Sequence, residues 1–266
     1  MTLIAILIGT IAAGVGSVWL AALLGMAMLA RFTQHMLSLA AGALMATAFM
    51  HLLPEAFESE AGAHELFAML LGGLVFFFLL DKAELWHHGH EHHQGEGHAH
   101  DDHAHHGHHG HHEHGPRSGG WTVLAGDSVH AFGDGILIAS AFMADLRLGV
   151  VAALAVLVHE VPHHMGDLVV LRQTSNNKRA ALVKVSLAGA VTALGGVVGY
   201  ALVDQLYDYL PFFLITASSS FIYVALADLI PQLQKRVTAR ETVAQIAWLA
   251  IGIGLVTLIS GFAHHH

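Results

Sequence analysis

Long apolar runs, separated by short polar or charged stretches, follow one another along most of the chain. Eight of these runs are close to the ~20 residues that an α-helix needs to cross a bilayer. Backbone groups in lipid must find their hydrogen bonds within the protein, which favours helices. The sequence therefore predicts an all-α bundle of eight transmembrane helices, over about 3–30, 36–54, 65–86, 121–144, 147–171, 180–203, 210–231 and 242–263.

Basic residues predict how this bundle is oriented. Ten of the eleven lysines and arginines fall on one side of the predicted bundle, and only Arg147 falls on the other. Because basic loops favour the cytoplasm, both termini are expected outside, in the plasma (bacterial inner) membrane. The first run begins at Thr2 with no basic segment before it, so it is expected to stay in the membrane rather than be cleaved as a signal peptide.

Composition agrees with a membrane protein and narrows its chemistry. Hydrophobic residues make up 55% and charged residues 12% of the chain, against about 25% charged residues in soluble domains. There is no cysteine, so any bound metal must be held by nitrogen and oxygen atoms. The net charge of −9 argues against a nucleic-acid partner, since phosphates are bound by basic patches. The lipid bilayer is the expected surrounding.

A histidine-rich insert, 87–120, separates the third and fourth spans. Its stretch from His87 to His114 contains fifteen histidines together with acidic residues and glycines. Such a segment cannot form a packed core and is expected to be a disordered cytoplasmic loop, which either captures metal weakly or is a solvated linker. The chain then divides into 1–86 with three spans, 87–120 with the loop, 121–173 with two spans, 174–263 with three spans, and 264–266, interpreted as the remnant of a purification tag.

Charged and imidazole side chains interrupt the fourth and fifth spans. A charge at the centre of a membrane helix costs roughly 2.5–3.5 kcal/mol even on a mild scale, so these groups are expected to have a function. At about 100° per residue, they fall on one face of each helix: Asp127, His130 and Asp134 on the fourth, and His159, Glu160, His163, His164 and Asp167 on the fifth. Only a short connection separates the two spans, so their polar faces can meet. Imidazoles and carboxylates are ligands of divalent metals, which predicts a metal site between these helices.

Proline and glycine residues lie beside the same polar groups. Pro162 is within the polar face of the fifth span and predicts a bend there, because proline removes a backbone hydrogen bond. Gly133, Gly135 and Gly166 are expected to let neighbouring helices approach closely next to the ligands.

Two single polar groups lie elsewhere in the apolar runs. His51 ends the second span three residues before Pro54, and Asp228 lies in the seventh span three residues before Pro231. Handling of the ion and structural capping are open alternatives for each of them. Together they would line the outer and inner halves of a pathway.

The polar segments resemble those of the ZIP (Zrt-/Irt-like protein) family of metal transporters, especially the branch with H-E-x-P-H-E-x-G-D on the fifth helix. Here that motif stands as His159-Glu160-Val161-Pro162-His163-His164-Met165-Gly166-Asp167, with a histidine in place of the second glutamate. The family's fourth-helix motif, H-N-x-x-D/E-G, stands as His130-Ala131-Phe132-Gly133-Asp134-Gly135. The segments around His51 and Asp228 are also similar to the family, so the resemblance covers nearly the whole chain.

The resemblance implies a transporter, not an enzyme, that imports a divalent metal as its substrate and needs no cofactor. The ion would be Zn²⁺, or otherwise Cd²⁺, Fe²⁺ or Mn²⁺, and the family suggests a homodimer. Carried onto this chain, the principal ligands are His130, Asp134, Glu160 and His163; His159 and Asp228 serve an adjacent site, and His51 and His164 complete the candidate ligands. The family's site can hold two ions, but Ala131 stands where an asparagine ligand is expected, so a count of one tightly held ion is predicted.

Three other functions fit parts of the pattern. The segment from His159 to His163 satisfies H-E-x-x-H, the signature of zinc proteases, but Pro162 and the additional ligands argue against an intramembrane protease. The pair His130 and Asp134 is also used by exporters of the cation-diffusion type, against which the eight spans argue. A metal sensor without flux is the third alternative.

The expected route for the ion begins on the outside at an acidic stretch with Glu55, Glu58 and Glu60. Release follows when the helices move and open the site to the cytoplasm. The nucleotide-binding motif G-x-x-x-x-G-K-[ST] is absent from the sequence, so transport is expected to be passive or coupled to another ion.

Metal uptake is expected to depend on pH, because histidine ligands must be neutral to bind a metal. Uptake into proteoliposomes should fall as the pH drops through roughly 6.5, the reference pKa of histidine. A steep rise of uptake below about pH 6 would contradict this expectation.

Overall fold

The computed structural model describes the backbone of residues 1–24, 26–89, 119–174, 178–234 and 238–262. Over these ranges the chain forms helices joined by short turns and contains no strand, which confirms the prediction of an all-α membrane bundle. The predicted loop 87–120 is shortened at both ends, because helices reach Gly89 and resume at Gly119. Residues 90–118 and the proposed tag remnant 264–266 lie outside the described residues.

Eight long helices follow one another in the described part of the chain. They are α1 (Thr2–Leu24), α2 (Met26–Thr47, continued by Ala48–Leu52 and Leu53–Phe57), α3 (Ala63–Gly89), α4 (Gly119–Ala144), α5 (Leu146–Thr174), α6 (Lys178–Gln205), α7 (Tyr207–Leu233) and α8 (Ala239–Phe262). Within these described ranges, all except α4 contain a stretch long and apolar enough to cross a membrane. α4, which carries Asp127, His130 and Asp134, packs among them.

The boundary between the first two helices differs from the prediction. The sequence predicts a first span over 3–30, whereas α1 ends at Leu24 and α2 begins at Met26. The stretch that follows Met26 is as apolar as the stretch before it, and the first charged residue is Arg31. Hydropathy therefore contains no signal for this break.

α4 and α5 occupy the centre of the bundle. α4 packs against α1, α5, α6 and α7, while α5 packs against α1, α2, α4 and α6. Buried side chains such as Leu44, Ile138, Val156 and Phe221 join α2, α4, α5 and α7 in one apolar core. By contrast, only 11% of the apolar stretch is buried in each of α3 and α8. The polar faces of α4 and α5 are thus enclosed by other helices, and α3 and α8 lie at the periphery of the bundle.

One of the three glycines predicted to permit close helix packing does so. A methyl group at Gly135 would collide with the backbone carbonyl of Thr192 on α6, so α4 and α6 approach each other closely at this point. At Gly133 and Gly166, an added methyl group would meet no atom within 4 Å. The prediction is therefore wrong for these two positions, because neither lies on a helix-to-helix contact.

Widened, π-helical turns interrupt α2 and α7 just before a proline. The N–H of Leu53 donates to the carbonyl of Ala48, and the N–H of Ile230 donates to the carbonyl of Ala225, both five residues back. Proline has no N–H, so Pro54 and Pro231 donate no backbone hydrogen bond where these turns end. These turns contain His51 and Asp228, respectively. α5, in contrast, continues through Pro162 to Thr174.

Candidate metal centre

The polar faces of α4 and α5 meet at the centre of the bundle. His130 and Asp134 from α4, with His159 and Glu160 from α5, bring four ligand atoms within 4.8 Å of one another; these four residues are called the central site. His159 Nε2 lies 3.3 Å from both Asp134 Oδ2 and Glu160 Oε1. His130 Nε2 lies 3.7 Å from Asp134 Oδ2 and 3.5 Å from Glu160 Oε1. A single ion among these atoms could contact both helices.

Helical spacing and burial explain why these four side chains converge. His130 and Asp134 are one turn apart on α4, so their side chains lie on the same face. Asp134, His159 and Glu160 are 2–3% exposed, whereas 29% of the His130 side chain is accessible. Three of the four ligands of the central site are therefore buried, and His130 is the ligand that is partly accessible.

The backbone of α5 orients one ligand of the central site. His159 Nδ1 lies 3.2 Å from the carbonyl oxygen of Ala155, four residues earlier on the helix. A carbonyl can only accept, so Nδ1 carries the proton and Nε2 is left free to bind a metal. Metal-binding histidines usually have such a partner on their second nitrogen.

Asp127, one turn before His130, connects the central site to two further groups of ligand atoms. It lies with His163 and Asp167 in one group, and with Glu160 and His164 in another. Asp127 Oδ1 is 3.6 Å from His163 Nε2 and 3.8 Å from His164 Nε2. Since Glu160 also belongs to the central site, the three groups share residues and form a continuous line of ligands.

Many polar atoms of these groups are buried without a hydrogen-bond partner. Among the described residues, they include both carboxylate oxygens of Asp127 and Glu160, one oxygen each of Asp134 and Asp167, and Nε2 of His159 and His164. Buried polar atoms usually have partners, and burial of an unpaired charge is costly. A divalent cation would satisfy several of these atoms at once, and the nitrogen and oxygen donors suit Zn²⁺.

A cavity leads from the ligands to one end of the bundle. Its volume is about 560 Å³. His130, His159, His163, Asp127 and Asp167 line its inner part, and Thr33, Asp81, Asp228 and Gln232 line the part near the ends of α2, α3 and α7. Of the His163 side chain, 45% is accessible. The cavity connects the central site with this end of the bundle.

The structure brings together six of the eight candidate ligands. Four of them form the central site, and His163 and His164 belong to the neighbouring groups around Asp127. The sequence predicts His163 as a principal ligand and His159 as an adjacent one, whereas the geometry places His159 in the central site and His163 beside it.

His51 and Asp228 lie outside these ligand groups, as searched over the described residues. His51 Nδ1 is 3.4 Å from the carbonyl oxygen of Ala46 on its own helix. Asp228 lines the cavity, and its Oδ1 accepts a hydrogen bond of 2.9 Å from Gln232 Nε2. Their assignment as ligands stays a prediction, and Asp228 has a position on the cavity route.

The set of predicted ligands lacks three residues whose side chains take part in these ligand groups. Asp127 and Asp167 share the polar faces of α4 and α5, so the 100° periodicity was a usable signal for both. The Oγ of Ser17 on α1 lies 2.9 Å from His164 Nδ1. A single serine within an apolar run carried no signal for this contact, because membrane helices commonly contain serine.

Comparison with known protein families adds an independent observation to this geometry. The family model described as ZIP Zinc transporter matches residues 1–260. The chain belongs to the ZIP family. This confirms the predicted membership of the family, and it places the chain in a family of transporters rather than of enzymes.

Similar proteins from animals agree with this membership. Zinc transporter ZIP10 of Danio rerio is 34% identical over 152 residues, which cover 54% of this chain and 18% of that protein. Zinc transporter ZIP13 of Danio rerio is 26% identical over 272 residues, which cover 85% of this chain and 76% of that protein. Zinc transporter ZIP4 of Homo sapiens is 28% identical, covering 84% of this chain and 41% of that protein. The chain thus spans less than half the length of ZIP10 and ZIP4 and about three quarters of ZIP13.

Proposed function

We propose that this ZIP-family protein carries a divalent metal ion, Zn²⁺ in the first place, across the membrane into the cytoplasm. The observation that supports this most is the central site, a buried group of imidazoles and carboxylates that two antiparallel helices share at the inner end of a cavity. A structural metal would need no such access. A transported ion needs both ligands that replace its water and a route to leave them.

The basic residues near the cavity indicate which side of the membrane the described arrangement faces. The cavity reaches the end of the bundle where Lys82 lies on α3 and Lys184 on α6, the end rich in basic residues. The positive-inside rule assigns this end to the cytoplasm, with both termini outside. On the other side of the central site, Leu137 and Phe142 of α4 belong to the same apolar core as Val156 of α5. The described arrangement is then open inward and closed outward.

Uptake from the outside requires a movement of helices that opens the apolar contact between α4 and α5. Glu55, Glu58 and Glu60 are exposed at the outer end of α2, where they would raise the local concentration of cations. His51 lies one turn further in on the same helix, and Asp228 lines the cavity on the opposite side of the membrane. We assign these two residues to the outer and inner halves of the route. The homodimer suggested by the family stays a prediction.

The protease alternative fits the geometry less well. In an H-E-x-x-H protease, the glutamate activates water and the metal keeps an open position. Here Glu160 Oε1 lies 3.5 Å from His130 Nε2 and 3.3 Å from His159 Nε2, among the ligand atoms themselves. The first and second histidines of the motif also face different groups, because His163 lies with Asp127 and Asp167.

Replacement of His130 tests the proposed transport. Purified protein in proteoliposomes should take up radioactive Zn²⁺, and His130→Ala should lower the initial rate by about 10- to 100-fold, at least the loss that outer-shell substitutions cause in metal sites. His64→Ala is the matched control, because it removes an exposed imidazole at the start of α3. Wild-type vesicles that fail to accumulate Zn²⁺, or His130→Ala vesicles that match the wild type, would contradict the proposal.

A further inference from the structure

We propose that a cavity between α2, α5 and α8 binds one acyl chain of a membrane lipid, from the leaflet in which α1 ends and α2 begins. The cavity has a volume of about 300 Å³ and shares no described lining residue with the cavity that reaches the metal ligands. We call it the side cavity. The inference needs only that the helices span a membrane, so it does not depend on the identity of the transported ion or on the direction of transport.

The lining of the side cavity suits hydrocarbon. Apart from His35, the described residues that line it are aliphatic or aromatic, namely Leu24, Phe32, Met36, Leu39, Val158 and Trp248. A water molecule needs polar partners, and apolar cavities therefore stay dry. None of the groups of possible metal ligands among the described residues includes His35. An apolar chain fits this lining better than water or a metal ion does.

The depth of the side cavity matches the hydrocarbon region of one leaflet. Leu24 ends the first apolar span and Phe32 begins the second, so both lie near the same boundary of the membrane. Their side chains are 36% and 41% exposed and mark the mouth of the cavity. Leu39 follows Phe32 by seven residues on α2, which is about 10 Å deeper at the helical rise of 1.5 Å per residue. The cavity thus extends from the boundary into the hydrocarbon, as an acyl chain does.

The side cavity cannot close by closer packing of α2 and α8. A methyl group at Gly42 would collide with the carbonyl oxygen of Leu249, and one at Gly252 would collide with the carbonyl oxygen of Leu39. The two backbones are therefore already in contact next to the cavity. Because lipid tails are as apolar as the cavity walls, exclusion of water does not drive a chain inward. The gain is van der Waals contact, which the walls of an empty cavity lack.

Aromatic rings and α5 complete the lining. The ring of His35 lies edge-on to that of Trp248, with 5.7 Å between the centroids, and is tilted against that of Phe32 at 5.9 Å. From α5, the lining includes Val158, the residue directly before His159 of the central site. A bound chain would therefore contact the helix that carries most of the metal ligands.

Quenching of tryptophan fluorescence by brominated lipid tests the side cavity. The full chain, with Trp248 as its one tryptophan after Trp19, Trp86 and Trp121 are replaced by phenylalanine, is placed in phosphatidylcholine vesicles. A rising fraction of the lipid carries bromine in the middle of its acyl chains. A matched protein keeps only Trp19, which is 52% exposed on α1 and reports on the ordinary lipid around the bundle.

The two proteins should differ in how their fluorescence depends on the brominated fraction. One chain in the side cavity is either brominated or not, so the fluorescence of Trp248 should fall in linear proportion to that fraction. Several surrounding lipids can each quench Trp19, so its fluorescence should fall along a curve.

Two substitutions in the side cavity oppose the chain by different means. Met36→Gln puts an amide where a bound chain would bury it without a partner, which is costly, and Leu39→Phe takes up part of the volume. Each should remove most of the quenching of Trp248 and leave that of Trp19 unchanged. Met69→Gln makes the first change at a position on α3 that is 38% exposed, and it should leave the quenching of both tryptophans unchanged.

Two results would overturn the proposal. Equal quenching of Trp248 with and without the cavity substitutions would mean that lipid reaches this ring only from outside the bundle. Quenching of Trp19 without any quenching of Trp248 would mean that the side cavity is empty or covered by another occupant, such as a second copy of the chain. Because Met36→Gln and Leu39→Phe differ in chemistry, either one gives the answer should the other not fold.

Discussion

Replacement of Glu160 by glutamine is expected to reduce zinc uptake more than any other single substitution in the bundle, by about 100-fold or more. Glutamine has nearly the same shape as glutamate but lacks the negative charge, and only one of its two terminal atoms can accept. Glu160 is the residue that faces both the central site and His164. Loss of this carboxylate therefore weakens the binding of any ion that the central site or the group around His164 holds.

The measurement is the initial rate of zinc uptake into proteoliposomes, with the amount of protein in the vesicles determined in parallel. Glu65→Gln makes the same chemical change at an exposed position in the first turn of α3 and should transport like the wild type. Elution of Glu160→Gln as a single species in size-exclusion chromatography would show that it is folded. A folded Glu160→Gln protein with the wild-type rate would exclude Glu160 as a ligand of the transported ion.

Substitution of Gly135 by alanine is expected to destabilise the bundle by about 1–3 kcal/mol, the usual effect of an extra methyl group in a packed contact. The new Cβ would collide with the carbonyl of Thr192 and with the backbone of Gly195 and Gly196 on α6. These are backbone atoms, which cannot move aside as a flexible side chain can. Because Gly135 directly follows Asp134, the strain would also displace a ligand of the central site.

Gly133→Ala is the matched control on the same helix, two residues earlier. A methyl group at Gly133 meets no atom within 4 Å, and alanine is favoured over glycine in a helix by about 1 kcal/mol. We expect thermal unfolding in detergent to begin at a lower temperature for Gly135→Ala than for the wild type, and at the same or a higher temperature for Gly133→Ala. Equal transitions for the two variants would mean that α4 and α6 do not approach each other as described.

The sequence predicts the helical bundle and most of the ligands because both depend on local periodicity. Apolar runs of membrane length identify the spans, and the 100° rotation per residue places His130 and Asp134 on one face. Periodicity does not predict contacts between helices that are far apart in the sequence. Nothing near Ser17 in the sequence indicates that it pairs with His164, 147 residues later.

The distribution of the ligands among groups is also beyond what periodicity can show. His159 and His163 lie one turn apart on α5, so a helical projection treats them as equivalent. In the structure, His159 is 3% exposed and faces Asp134, while 45% of the His163 side chain is accessible and faces Asp127. The difference arises from the position of α4 relative to α5, which is a contact between helices and not a property of either helix alone.

The widened turns before Pro54 and Pro231 change how residue numbers map onto the faces of α2 and α7. Such a turn accommodates one residue more than an ordinary turn, so a projection at a constant 100° per residue is offset by about one position beyond it. The last residues of α7, including Gln232 on the cavity wall, are therefore assigned to the wrong side by a simple helical wheel. Alignment of this chain with any relative that lacks one of these widened turns should place a one-residue gap there, so that the inward-facing side chains remain in register.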